Sequence, residues 1–140
     1  MNAPVQLSID SSNKELSLNG VCQYTINNDQ MIVDVEEIAS NRNSGNTSGT
    51  LTLEVWALEQ PYAGDNFCGY QLATQTLGEL KGQHLFRDLH YVLSMKPPVE
   101  GRWYLVMMLR ERDCNGWVVR DYINFPYTVK AEYKLALSLF

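Results

Sequence analysis

GRWYLVMMLRERDCNGWVVRDYINF, residues 101–125, decides the fold, because it reads as two long apolar strands joined by one turn. Asn115 and Gly116 lie between the two apolar runs. Both residue types tolerate the positive φ angles of a type I′ turn, and this pair between apolar runs is a strong short-range signal for a hairpin. The sequence therefore predicts a β-hairpin that turns at Asn115 and Gly116.

The predicted hairpin has a register that places two pairs of opposite charge directly across from each other. These pairs are Glu111 with Arg120 and Arg110 with Asp121. Each such pair stabilises a hairpin by about 0.2–1 kcal/mol, and a shift of one residue would exchange its two faces. We predict that the core face contains Tyr104, Val106, Met108, Val119, Ile123 and Phe125, and that the opposite face contains Trp103, Leu105, Met107, Leu109, Val118 and Tyr122.

The rest of the chain alternates short apolar segments with turn residues. Strands are predicted at residues 4–9, 15–18, 21–26, 31–38, 51–58, 70–77 and 83–95. Asn19 and Gly20 predict a second tight turn, and Pro97 ends the last of these strands because proline cannot donate to a ladder. In strand 51–58 the alternation predicts a core face of Leu51, Leu53, Val55 and Ala57.

Length and composition agree with one all-β domain. The 140 residues are 45% hydrophobic and include eight Tyr, three Trp and four Phe, residue types that favour strands. About seven to nine strands without a helical period are typical of a β-sandwich. We predict a single domain with N-terminal strands at 1–29, a sandwich core at 30–127 and an added C-terminal strand or tail at 131–140, where Tyr133, Leu135, Leu137 and Leu139 alternate with other residues.

The charge pattern excludes some partners. The net charge is −5 and no basic stripe is present, so nucleic acid is not an expected partner. No apolar run approaches the roughly 20 residues of a membrane span, and the first residues lack the pattern of a signal peptide.

A corner motif makes the sandwich prediction more specific. Pro97, Pro98 and Gly101 precede Tyr104, and this order resembles the corner before strand F of immunoglobulin-like domains. In such a corner the tyrosine is buried and its hydroxyl bonds the turn. We therefore predict that Tyr104 faces the core of an immunoglobulin-like antiparallel β-sandwich.

A family resemblance rests on six short segments in a fixed order. They are SGTLTLEVWA (48–57), PYAG (61–64), GYQLA (69–73), LGELKG (77–82), PPVEGRWY (97–104) and GWVVRDYINF (116–125). In this order they resemble the bacterial immunoglobulin-like adhesion domains called CARDB-like, over residues 30–127. The resemblance implies an accessory or interaction module, often in secreted or surface proteins, without an active site.

Residues that could carry chemistry are few and scattered. His84 and His90 would lie about 20 Å apart on one strand, too far to share a metal ion. Cys22, Cys68 and Cys114 form no CxxC motif and predict free thiols. Asp29, Asp34, Glu36 and Glu37 could supply carboxylate oxygens to calcium, but their spacing matches no calcium loop. Alternation places Asp34 and Glu36 on the solvent face of a strand, which favours a solvated face over a metal site. We predict no catalytic, cofactor-binding or metal-binding residue.

The apolar face opposite the predicted core gives a candidate interaction patch. Its residues are Trp56, Trp103, Leu105, Met107, Leu109 and Tyr122. A stripe of this kind exceeds what a monomer usually exposes, so a cover is expected. The cover could be a second copy in a homodimer, an external protein or the chain's own terminal segments.

These observations predict a non-enzymatic protein-interaction or adhesion-type accessory module. Its partner would be another protein or a second copy of the chain. The alternative is a carbohydrate-binding module of the same architecture, with Trp56, Trp103 and Trp117 as a sugar-binding platform. Localisation stays open, because the resemblance suggests a secreted or surface protein whereas free cysteines suggest the cytoplasm.

Overall fold

In the computed structural model, the backbone is described for residues 5–9 and 14–133, and the side chains for residues 14–133. Within these ranges the chain forms eight β-strands and no helix. The strands are β1 (Val5–Ile9), β2 (Leu16–Asn27), β3 (Gln30–Ser40), β4 (Leu51–Leu58), β5 (Gly69–Gly78), β6 (Leu85–Ser94), β7 (Gly101–Asp113) and β8 (Gly116–Ala131).

The eight strands form two four-stranded antiparallel sheets. The first sheet has the order β1-β2-β3-β6 and the second has the order β5-β4-β7-β8. Consecutive strands β3 and β4 therefore lie in different sheets, and they pair with the consecutive strands β6 and β7. The prediction of an all-β sandwich is confirmed; the immunoglobulin-like topology stays a prediction.

The core lies between the two sheets. Apolar side chains of β2 and β3 face those of β4 and β7, as alternation in each strand requires. The predicted core face of β4 is confirmed, because Leu51, Leu53, Val55 and Ala57 are at most 2% exposed. The largest fully buried side chains include Leu16, Leu18, Met31, Ile38, Leu105, Met107 and Leu109.

The turn of the β7–β8 hairpin lies one residue earlier than the sequence predicts. Asp113 is opposite Gly116, so Cys114 and Asn115 form the turn. Of these residues only Gly116 has a positive φ, 114°, which fits a type I turn followed by a glycine bulge rather than a type I′ turn. The side chain of Asp113 stabilises the turn by accepting a 2.7 Å hydrogen bond from the Asn115 amide.

The predicted register of this hairpin is wrong, because the different turn shifts every pair. Glu111 is opposite Val118 and Arg110 is opposite Val119, so the two predicted charge pairs do not face each other. A bulge at Arg120 then changes the offset by one residue. Beyond this bulge each residue of β7 is paired one position away from its predicted partner on β8. An offset of one residue exchanges the faces of β7.

The face assignment of β7 is therefore wrong, whereas two of the three predicted core positions on β8 hold. Trp103, Leu105, Met107 and Leu109 lie in the core between the sheets with Ile123 and Phe125. Val106 and Met108 lie on the outer face of the second sheet, in an apolar cluster against which Val119 packs.

The corner before β7 is anchored by Trp103 instead of Tyr104. The Trp103 indole is 7% exposed and its Nε1 donates a 2.9 Å hydrogen bond to the carbonyl of Val99. Tyr104 is half-buried and belongs to neither buried cluster. The prediction of a buried Tyr104 is wrong because the faces of β7 are exchanged, so that Trp103 and not Tyr104 lies in the core.

The second predicted tight turn is a β-bulge inside one long strand. β2 runs through Asn19 and Gly20, and the pairing with β3 shifts at this point. Gly20 has φ 73°, and the amide of Val21 donates a 3.2 Å hydrogen bond to Glu36 Oε1. A glycine with positive φ serves a bulge as well as a turn, so the sequence signal was ambiguous. The predicted strand or tail at 131–140 lies outside the described residues beyond Tyr133.

Candidate binding cleft on the outer face of the second sheet

The six residues of the predicted patch do not share one surface. The structure places Trp103, Leu105, Met107 and Leu109 in the core, so their predicted exposure is wrong. Trp56 and Tyr122 lie on the outer face of the second sheet, as expected. The exchanged faces of β7 account for the difference.

The outer face of the second sheet carries its own apolar cluster. Leu58, Val106 and Met108 are at most 4% exposed there. They are covered by the loop between β4 and β5, residues 59–68, which contributes Tyr62 and Phe67. This internal loop is none of the three predicted covers. Two aromatic residues in a loop of Gly, Asp and Asn were the sequence signal that could have indicated it.

Aromatic side chains hold the β4–β5 loop on the sheet in edge-to-face pairs. Trp56 and Phe67 have ring centroids 4.9 Å apart at 82°, and Tyr62 and Tyr122 have centroids 4.6 Å apart at 88°. Aromatic pairs prefer this geometry and add about 0.5–1.5 kcal/mol beyond the buried area. Packing of the loop is thus specific.

Asn124 on β8 fixes the backbone of the same loop. Its Oδ1 accepts a 3.0 Å hydrogen bond from the Tyr62 amide, and its Nδ2 donates a 2.9 Å hydrogen bond to the Tyr62 carbonyl. The amide side chain thus satisfies both backbone polar groups of a residue that is itself 7% exposed.

A buried carboxylate organises the floor beside this loop. Glu54 is 4% exposed and accepts hydrogen bonds from Thr52 Oγ1 at 2.7 Å, Trp56 Nε1 at 2.8 Å and Arg110 Nη1 at 3.1 Å. Burial acts to raise the pKa of Glu54, but these three hydrogen bonds outweigh it and leave the pKa below its ordinary value. Glu54 therefore stays ionised and fixes both the indole of Trp56 and the guanidinium of Arg110.

An open cleft lies between the β4–β5 loop and the tip of the β7–β8 hairpin. Its volume is about 940 Å³ and its walls are formed by Trp56, Tyr62, Gly64, Asp65, Asn66, Phe67, Arg110, Trp117, Val118 and Val119. Trp117 is 40% exposed, and the guanidinium carbon of Arg110 lies 5.5 Å from the ring centroid of Phe67. We call this feature the aromatic cleft. It offers apolar ring surface next to charged and amide side chains.

The other residues singled out in the sequence are spread over the molecule. His90 Nδ1 bonds Asp34 Oδ1 on the first sheet, and His84 lies just before β6. Within residues 14–133 no three His, Cys, Asp or Glu side chains are grouped so that they could hold a metal ion. Cys22 is buried, which raises the pKa of its thiol to about 12, with the charge of Asp121 adding to the effect. Cys68 and Cys114 are exposed free thiols.

Two of the acidic residues considered for calcium are engaged by neighbouring side chains. Gln23 Nε2 donates a 3.2 Å hydrogen bond to Asp34, and Arg87 forms a 2.8 Å ion pair with Glu37. The hydrogen bond from Arg87 lowers the pKa of Glu37, assisted by one from Asn19. These contacts hold strands of the first sheet together.

The fold and this cleft define a β-sandwich with an aromatic surface site. Comparison with known protein families, with curated proteins and with solved structures finds no match for this chain. The resemblance to CARDB-like domains therefore stays a prediction. Within the described part of the chain, no helix is long and apolar enough to cross a membrane.

Proposed function

We propose that this chain is a non-enzymatic interaction module of the adhesion-type accessory kind, and that it binds its partner in the aromatic cleft. One observation carries the proposal: Trp117 leaves 40% of its surface exposed next to walls that are already fixed. Tryptophan and arginine are enriched among the residues that dominate binding energy at interfaces. The cleft presents both types.

Preorganisation supports binding at this site. Glu54 holds Trp56 and Arg110 from below, and Asn124 holds the loop that carries Phe67. Side chains that are fixed before the partner arrives lose less conformational entropy on binding. The part of the cleft formed by Trp56, Arg110 and Tyr62 is therefore fixed before a ligand binds.

The state of the ionisable groups favours binding over catalysis. Glu54, the buried carboxylate of the site, accepts three hydrogen bonds and has a lowered pKa, so it does not supply a proton at neutral pH. The histidines and the three cysteines are not among the residues that line the cleft. The side chains that do line it are suited to contact and orient a ligand.

Self-association stays a prediction, but the β7 residues of the predicted interaction patch no longer support it, because they are buried. Met107 and its inward-facing neighbours fill the core, and the β4–β5 loop covers the apolar centre of the outer face. A homodimer would have to use another surface. The proposal therefore concerns a foreign partner in the aromatic cleft.

The test is capture of partners from an extract of the native cells on the immobilised chain. Trp117→Glu should reduce the captured material at least tenfold, because it places a charge on the apolar wall of the cleft. Tyr127→Glu is the matched control, since Tyr127 is 70% exposed and lies outside the cleft. Circular dichroism checks that both variants fold. Equal capture by the parent chain and Trp117→Glu would contradict the proposal.

A further inference from the structure

We propose that the aromatic cleft recognises a short neutral carbohydrate of one or two sugar rings. One ring packs on the indole of Trp117, and the second ring, in a disaccharide, lies beside the first. This inference rests on the proposed function, because it names the chemical group that the same cleft binds.

The exposed indole provides the apolar half of the recognition. One face of a sugar ring carries mainly C–H groups, and an exposed aromatic face removes such a surface from water. Trp117 is the tryptophan free for this role, since Trp103 is 7% exposed and Trp56 is engaged by Glu54 and Phe67. The three-tryptophan platform expected from the sequence does not exist.

The geometry of the other aromatic rings limits the size of the ligand. Phe67 is nearly perpendicular to Trp56, at 82°, and to Tyr62, at 88°. These rings make no flat row on which an extended polysaccharide surface could lie. A single exposed indole in the cleft fits one or two rings of a soluble or terminal glycan.

The polar side chains of the cleft match a neutral ligand rich in hydroxyl groups. Arg110 is paired with Glu54 at 3.1 Å, so the positive charge of Arg110 is compensated and an anion gains little. The Arg110 side chain is 19% exposed, and its Nε has no hydrogen-bond partner within the described residues. Asp65 and Asn66 on the opposite wall add a carboxylate acceptor and an amide. Hydroxyl groups both donate and accept, so they can satisfy all three side chains.

The size of the site favours a small ligand over a protein surface. A volume of about 940 Å³ lies within the usual range for small-molecule sites, roughly 300–1,000 Å³. A stable protein interface buries about 1,200 Å² or more in total, which needs a surface well beyond this cleft. The cleft alone therefore fits a glycan better than a folded partner.

The test is an array of neutral glycans, followed by saturation-transfer NMR with cellobiose, maltose, xylobiose and N,N′-diacetylchitobiose as probes. We expect binding of at least one glycan, and we expect Trp117→Ala to weaken it at least tenfold. Asp65→Ala should weaken it as well, because it removes an acceptor for sugar hydroxyls. Tyr127→Ala should leave the affinity unchanged.

The outcomes separate this inference from the proposed function. If no glycan binds but Trp117→Glu still abolishes capture of a protein from the native extract, the inference fails and the proposed function stands. If no glycan binds and capture is independent of Trp117, both fail. Glycan binding that survives Trp117→Ala would contradict the inference, because the sugar would then bind elsewhere.

Discussion

Glu111 shows how one buried carboxylate can attach a loop to the sandwich. Arg42 contacts both of its oxygens at 2.8 Å, Arg120 Nε lies 2.7 Å away, and the Gly49 amide donates a 2.8 Å hydrogen bond. The Glu111 side chain is 5% exposed. The hydrogen bonds from Arg42 lower its pKa to about 2 in spite of burial, with Gly49 and Arg120 adding to the effect.

This pKa predicts a specific loss of stability in acid. The folded pKa is about 2 and the ordinary value is 4.5, so the unfolded chain binds the proton more readily. The stabilisation is present above about pH 4.5 and is lost as the pH falls toward about 2. A shift of this size corresponds to roughly 3 kcal/mol. Urea denaturation should show the parent and Glu111→Gln far apart at neutral pH and converging near about pH 2.

The control for this experiment is Glu132→Gln. Glu132 pairs with Lys130 at 2.7 Å, but both side chains are more than 60% exposed, and exposed pairs contribute little. Its denaturation curve should follow the parent at every pH. If Glu111→Gln shows the same dependence on pH as the parent, Glu111 is not the group that titrates.

The corner before β7 shows which feature of a single residue the sequence did not predict. The corner motif predicted Tyr104 as the buried anchor, whereas the structure places Trp103 there. Adjacent strand residues point to opposite faces, so the choice depends on the register of the whole hairpin. In the structure that register is set by the turn, by the bulge at Arg120 and by a second shift between Tyr104 and Val106.

At the scale of the strands, their positions were predictable except that β2 was predicted as two strands, whereas the register was not predictable. Strand 51–58 was predicted with its observed bounds, and β3 differs from its prediction only by one or two residues at each end. Period-two alternation contains this information. An Asn-Gly pair is compatible with two turn types that differ in register, so the pairing of β7 with β8 could not be derived from it.

The bulge at Gly20 makes a prediction about backbone conformation. Gly20→Ala should destabilise the fold by about 1–2 kcal/mol for the positive φ alone. A Cβ there would also lie 2.5 Å from Glu36 Cδ, so the carboxylate must move and leave the Val21 amide. Gly78→Ala isolates the backbone contribution, because φ is 86°, close to that of Gly20, and nothing lies within 4 Å of the added Cβ.

We therefore expect Gly20→Ala to cost about 1 kcal/mol more than Gly78→Ala in denaturant titrations. In a Glu36→Ala background the two glycine substitutions should cost the same, since the side chain to be displaced is gone. A Gly20→Ala chain as stable as the parent would show that β2 does not contain this bulge.

The attachment of the β4–β5 loop predicts a local change in dynamics. Asn124→Ala removes both hydrogen bonds to the Tyr62 backbone and should cost about 1–3 kcal/mol. Amide exchange should become faster in residues 59–68 while the core strands keep their protection. Asn46→Ala, in an exposed loop position, is the control and should change neither. Unchanged exchange in the β4–β5 loop of Asn124→Ala would show that Asn124 does not hold it.

At the scale of the whole molecule, the sandwich could be predicted and the aromatic cleft could not. The cleft joins the β4–β5 loop with a hairpin tip about 50 residues further along the chain. Alternation describes contacts within a strand and between hairpin neighbours, but not where a loop folds back. The excess of apolar residues on both faces of β7 did indicate that the outer face needs a cover.

The structure exposes Trp117 on the outer face of the second sheet and buries Trp103 in the core. Hydroxyl-radical footprinting with mass spectrometry measures the oxidation of each of the three tryptophans in the native chain. Trp117 is 40% exposed, Trp56 is half-buried and Trp103 is 7% exposed. We therefore predict that Trp117 is oxidised fastest and Trp103 slowest, with oxidation of Trp103 close to that of a sample without radical exposure. Oxidation of Trp103 as fast as that of Trp117 would contradict the burial of Trp103, because it would place the face of β7 that carries Leu105, Met107 and Leu109 in solvent.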